Sequence, residues 1–177
     1  MSCGSWGFFD DMPSTPQVLV PNRYHVVPRT IIFVFRDGQV LLQKGAATKK
    51  INAGLWNGLG GHVERGEDVV AAAKRELFEE AGIQCDTPIF CGTIMIDVQD
   101  AEGILLFVFS ANITTPEFRA SEEGVLAWHP VTQLPAEQIV DDVPFLIQKS
   151  LEAMENGNPF HYLYSYDAAG NRIITPA

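Results

Sequence analysis

The segment from Gly61 to Ile83, GHVERGEDVVAAAKRELFEEAGI, constrains this chain more than any other, because three carboxylates crowd one short amphipathic run. At about 100° per residue, Glu76, Glu79 and Glu80 stand at i, i+3 and i+4 and share one helix face beside Arg75. Val70, Leu77, Phe78 and Ala81 fall on the opposite side, which is expected to face the core. Ala72 and Ala73 are expected to leave open space for a ligand on the acidic face, and Gly82 supplies the stop. Glu76 and Glu80 are a like-charge i,i+4 pair, which costs a helix about 0.2–0.5 kcal/mol. Glu67, in the turn RGED, can reach the same space. A solvated face with an Arg75–Glu79 ion pair is one reading. The other is a hard divalent cation such as Mg²⁺, which takes oxygen ligands and bridges carboxylates to substrate phosphates. Only the second removes the repulsion.

At 177 residues and 46% hydrophobic, the chain is the size of one ordinary domain. Residues 1–21 read as a loosely held N-terminal arm and residues 22–177 as the domain itself. Twelve basic residues against twenty-two acidic ones give a formal charge of −10, a repulsive field for any phosphate polymer unless cations intervene. Duplex nucleic acid is therefore not an expected partner, and a small molecule is. Cys3, Cys85 and Cys91 form no C-x-x-C pair, which suits a reducing cytoplasm. No apolar run reaches the length of a membrane span, and the opening MSCGSWGFFDDMPSTP lacks the basic start and apolar core of a signal peptide. The expectation is a cytoplasmic monomer or homodimer, away from membranes.

Along the chain, TIIFVFRDGQVLLQKG predicts an antiparallel hairpin around Asp37-Gly38. A glycine-rich loop spans Gly45 to Gly61, and loops of that length are usually functional or disordered. PIFCGTIMIDV and GILLFVFSANI are expected to pair across QDAEG, VLAWHPV is a further strand, and FHYLYSYDAAGNRIIT a final hairpin. DDVPFLIQKSLEAMENG has helical spacing in Phe145, Leu146, Leu151 and Met154 before Gly157. Strands and helices interleave without strict βαβα alternation. That predicts a layered α/β sandwich, a mixed sheet with helices on both faces.

Gly61, Glu67, Arg75, Glu76, Leu77, Glu79, Glu80, Gly82 and Ile83 fill every specified position of G-x5-E-x7-R-E-U-x-E-E-x-G-U, where U is aliphatic. The segment resembles the Nudix box, and the order of elements from about Arg23 onward is similar to that of a Nudix α/β/α sandwich. The resemblance implies Mg²⁺-dependent hydrolysis of a nucleoside diphosphate linked to another moiety, with Mn²⁺ as a substitute ion. It implies Glu76, Glu79 and Glu80 as metal ligands, with the Gly60 carbonyl a fourth and Arg75 orienting the glutamates. It also implies a base among Glu76, ranked first, Glu67, Glu80 and Glu123. Glu123, in SEEGVLAW, matches an additional metal ligand of MutT-type members; Glu122, one register away, is the alternative, and a solvated loop acid the other reading.

GLWNGLGGHVERGE resembles the approach to the box in hydrolases of oxidised purine nucleoside triphosphates, such as 8-oxo-dGTP. That likeness implies that Asn57 contacts the base and that Asp141 and Asp142 meet the purine edge, one acid donating and one accepting. The same two residues also suit a helix N-terminus. The chain departs from that subgroup at Ile139, where a stacking tryptophan is expected, and at His62, where lysine is common beside Gly61. His62 is a phosphate contact or a surface residue; Trp56, Tyr162 and Tyr164 stack on a base or pack. Alternative substrates are ADP-ribose, dinucleoside polyphosphates and an RNA 5′ end. A nucleotide sensor without turnover is the alternative class, against which the intact box argues. Glu76→Gln or Glu80→Gln is expected to lower kcat by roughly 10²- to 10⁴-fold while circular dichroism shows the fold retained.

Overall fold

The computed structural model describes residues 23–46, 52–99, 102–114, 117–119 and 124–177. The expected arm, residues 1–21, and Glu123 lie outside the described residues. The run Thr30–Phe35 has no polar alternation, and the strand that carries it, β1 (His25–Arg36), is buried on both faces. It runs parallel to β5 (Glu102–Asn112), from His25 opposite Glu102 to Phe35 opposite Asn112. On its other edge, β2 (Gln39–Gly45) pairs only with Val34 to Arg36. The turn between them holds Asp37 at φ 48° and Gly38 at φ 74°, the doubly positive backbone that a two-residue hairpin needs.

β3 (Trp56–Asn57) and β6 (Gly124–Pro130) each pair antiparallel with β2. β4 (Ile89–Gln99) lies antiparallel to β5 and parallel to β7 (Phe160–Tyr166), and β8 (Arg172–Pro176) closes the hairpin with β7. The resulting mixed sheet runs β3-β2-β1-β5-β4-β7-β8, with β6 beside β2. Successive side chains of β1 point to opposite faces. Ile31, Phe33 and Phe35 join Val143, Leu146 and Ile147 of α2 (Val143–Asn156) in one core. Ile32 and Val34 join Ala73, Leu77 and Ala81 of α1 (Val69–Ala81) in the other. This is the α/β/α sandwich anticipated.

The expected facing of α1 requires correction. Ala72 and Ala73 are fully buried and line no open space, whereas Val70 and Phe78 are 39% and 44% exposed. The helix turns its smallest residues toward the sheet, so the buried stripe is Ala73, Leu77, Glu80 and Ala81, at i, i+4, i+7 and i+8. Phe78 is covered from outside by the guanidinium of Arg119, 6.0 Å from its ring centre. Close approach of backbone to sheet, which alanines permit, carries Glu80 inward until only 3% of it is exposed. Leu77→Ala is expected to cost about 2–5 kcal/mol, read as a lower denaturation midpoint with an unchanged slope.

Candidate active site

Below Val34, β1 lacks β2 as a neighbour, and the glycine-rich loop takes the vacated edge. Ile32 N–H donates to Leu59 O (2.7 Å), Thr30 N–H to Gly61 O (2.9 Å) and Val63 N–H to Pro28 O (3.1 Å). Gly60 lies between, at φ 139°, where a Cβ would stand 2.2 Å from the Thr30 carbonyl oxygen. Only glycine fits there. Its N–H donates to Glu80 Oε2 at 2.8 Å, so the buried carboxylate of α1 is tied to the loop. Gly61 packs on Glu76: an added Cβ would meet Glu76 Oε1 at 2.4 Å.

Helix α1 is set in place at its start by Asp68, which accepts from the N–H groups of Val70 (2.8 Å) and Ala71 (2.9 Å). Immediately before Glu76, Arg75 gathers three carboxylates. Its Nη2 and Nε donate to Glu67 Oε1 (2.7 Å) and Oε2 (3.1 Å), and its Nη1 to Glu76 Oε1 (2.9 Å) and Glu79 Oε2 (3.0 Å). Nη2 also reaches the His62 carbonyl at 3.0 Å. The fork is a fixed cation among like charges. Glu67 is held below the usual carboxylate range, first by the Arg75 hydrogen bonds and then by the Glu64 N–H at 2.7 Å. The expected Arg75–Glu79 ion pair is therefore present, within a larger network.

A cleft of about 900 Å³ is lined by Glu76, Glu80, Gly60, Gly61 and His62, by Asn57, and by Asp141 and Asp142. Two hydrogen bonds bring the distant acid pair there: Trp56 N–H donates to Gln138 O (2.7 Å) and Val140 N–H to Trp56 O (3.0 Å). Asn57 Oδ1 is occupied by the Gly58 N–H at 2.8 Å. Asp142 takes the N-terminal cap position of α2 without a side-chain cap bond; it faces Arg172 instead, at 4.0 Å. Burial pushes its carboxyl up, with Arg172 opposing.

Other predicted residues stand elsewhere. Glu67, Glu79 and Arg75 do not line the cleft. Neither does Trp56, whose ring meets His129 edge-on at 4.5 Å. Tyr164 is core, 1% exposed, and Tyr162 packs on Phe145. Ile139 is core as well, 8% exposed. Sequence reasoning missed Arg29, Tyr166 and Arg172, which all line the cleft. Arg29 donates from Nε to His62 Nε2 at 3.1 Å. Strand pairing alone put them there, although the Asp68 cap was readable as an Asp before an apolar run.

Residues 25–148 match the NUDIX domain. The chain belongs to that family. It is 34% identical over 125 residues to the oxidized purine nucleoside triphosphate hydrolase of Danio rerio, a match spanning 68% of this chain and 79% of that one. The Mus musculus protein of the same description is 35% identical over the same spans. A MutT protein from Bacillus halodurans superposes with a TM-score of 0.68 at 21% identity, over 85% of this chain and 97% of that one. The protein is thus a NUDIX hydrolase acting on phosphoanhydride bonds.

Oxygen donors at the loop end of the cleft suit a hard divalent ion in kind, since Glu76, Glu80 and backbone carbonyls offer no nitrogen or sulfur. As they stand, no three His, Cys, Asp or Glu side chains among the described residues form a ligand cluster; Arg75 binds the carboxylates of Glu67, Glu76 and Glu79. A carboxyl lowered by folding stabilises the fold above its unfolded pKa and loses that contribution as pH falls through the folded value. The denaturation midpoint of the unsubstituted protein is therefore expected to exceed that of Glu67→Gln at neutral pH. The two curves converge as pH falls well below 4.5, the ordinary value.

Proposed function

We propose that this hydrolase cleaves a purine nucleoside triphosphate, oxidised purines included, to the monophosphate and pyrophosphate. The observation that carries this reading is that one cleft is lined at one end by Glu76 and Glu80 and at the other by Asp141 and Asp142. With a divalent ion between acids and phosphates, the first end suits a diphosphate, and the second suits a base edge. The descriptions of the Danio rerio and Mus musculus relatives support the same substrate class.

Glu76, Glu79, Glu80, the Gly60 carbonyl and Glu123 would hold Mg²⁺, or Mn²⁺ in its place, which when bound would supply positive charge to the phosphate oxygens and a more acidic water. Glu76 accepts a proton from the attacking water as its oxygen bonds to phosphorus. The bond from that phosphorus to the bridging oxygen breaks, and the bridging oxygen departs with the leaving fragment. Glu80, anchored on the Gly60 N–H, keeps the end of α1 against the loop, and Arg75 fixes the direction of Glu76. Arg29 and His62 add cationic and donor groups along the phosphates. At the other end, the acid pair offers an acceptor and a donor to a base, and Asn57 lies between. The free thiols of Cys85 and Cys91 fit a reducing cytoplasm.

A panel of canonical and oxidised nucleoside triphosphates, ADP-ribose, dinucleoside polyphosphates and triphosphorylated RNA, each with Mg²⁺ and products identified by mass, decides the substrate. Purine triphosphates are expected to give the monophosphate and pyrophosphate with the highest kcat/KM. Faster turnover of ADP-ribose or of the RNA end would displace the proposal, and tight binding without products would make the domain a sensor.

A further inference from the structure

A buried donor in the cleft stands apart from the network of acids. Gln43, on β2, is only 5% exposed, and its Nε2 has no hydrogen-bond partner among the described residues. An unpaired buried amide bears the full desolvation of its N–H groups, so folding alone does not explain it. The residue lines the same cleft as Glu76 and Glu80. Its place follows from the strand register. Leu41 faces Val34 across the β1–β2 pair, so two residues further on Gln43 stands level with Ile32, where Leu59 of the loop takes the edge of β1. Gln43 itself pairs with Asn57 on one side and Leu126 on the other. Leu41, Leu59 and Leu126 share one core with Leu77 and Ala81 of α1, and side chains two apart on a strand share a face. Gln43 therefore points toward α1, beside the loop whose Gly60 donates to Glu80. Gly124 confines its stem: a Cβ there would stand 3.3 Å from Gln43 Cγ.

We propose that Gln43 is a further substrate-contacting residue, whose side-chain amide donates to a non-bridging oxygen of the phosphate chain at the acid end of the cleft. The proposal rests on the reading that this end takes the phosphates. A phosphate oxygen is a strong acceptor, and it gives the orphaned N–H of Gln43 the partner that the folded chain does not. Charge decides the residue type. A lysine or arginine in this position would be drawn to Glu76 and Glu80, as Arg75 is drawn to Glu67, Glu76 and Glu79. A carboxamide donates without carrying charge, so it does not compete with a divalent ion for the same carboxylates.

Gln43→Met and Gln43→Leu, made in the full chain, remove the donor and keep a side chain of similar bulk. Calorimetric titration with inorganic tripolyphosphate and Mg²⁺, a probe without a base, measures the contact directly. Both variants are expected to bind it roughly tenfold to a hundredfold more weakly than the unsubstituted protein, the range for a hydrogen bond to a charged group. The denaturation midpoint is expected to hold or rise, because no orphaned donor is then buried. In steady-state kinetics, kcat/KM for dGTP and for dATP is expected to fall by the same factor, since both carry the same phosphates. Unchanged binding of tripolyphosphate in both variants overturns the proposal, as does an unsubstituted protein that binds none. A loss that merely follows a lowered midpoint also overturns it, by marking Gln43 as packing, and so does a fall in kcat/KM confined to one nucleotide, which places the amide at the base. Weaker tripolyphosphate binding in a protein that cleaves no purine triphosphate upholds the contact and removes the substrate reading. Unchanged binding in a protein that does cleave them removes the role of Gln43 alone.

Discussion

Everything at the site depends on the bond from the Gly60 N–H to the buried carboxylate of Glu80. A carboxylate that is 3% exposed is expensive to bury without partners. This one is accommodated because the loop that passes β1 has a glycine where no side chain fits, and that glycine directs its amide at the helix. The bond couples three elements: the central strand, the loop and α1. Gly61, the next residue of the loop, lies directly against Glu76, which lines the cleft.

Arg75 solves the complementary problem on the outer side. Two glutamates of α1 and one from the turn before it repel one another, and the guanidinium fork binds one oxygen or more from each of Glu76, Glu79 and Glu67. The network leaves an anionic face stable enough to fold, yet composed of hard oxygens that suit a divalent ion. At the far end of the cleft the same logic recurs, with Arg172 against Asp141 and Asp142.

Much of this was legible in the residues. The box from Gly61 to Ile83 announced its helix, its acids and its arginine through spacing, and the Asp37-Gly38 turn announced its hairpin. The helix facing was misread at Phe78 and Ala73 because hydrophobicity ranks the larger residue as core, whereas close packing of α1 on the sheet selects the smaller one. Trp56 fits two readings by sequence: a large aromatic beside a glycine loop is equally suited to line a cleft or to pack behind it, and His129 on β6 holds it behind.

Local spacing by itself determined the element types, the NUDIX box and the acidic helix face, because periodicity of 3.6 residues and turn chemistry act over a few neighbours. Tertiary structure alone decided that Asp141, Asp142 and Arg172, from two distant segments, share a cleft with Glu76 and Glu80. The register of β2 with β3, the stitching of residues 138–140 to Trp56, and the C-terminal hairpin on β4 set those distances. Hydrogen-bond ladders between remote strands carry no signature in the spacing of either strand alone, so the far end of the site became visible only once the sheet was assembled.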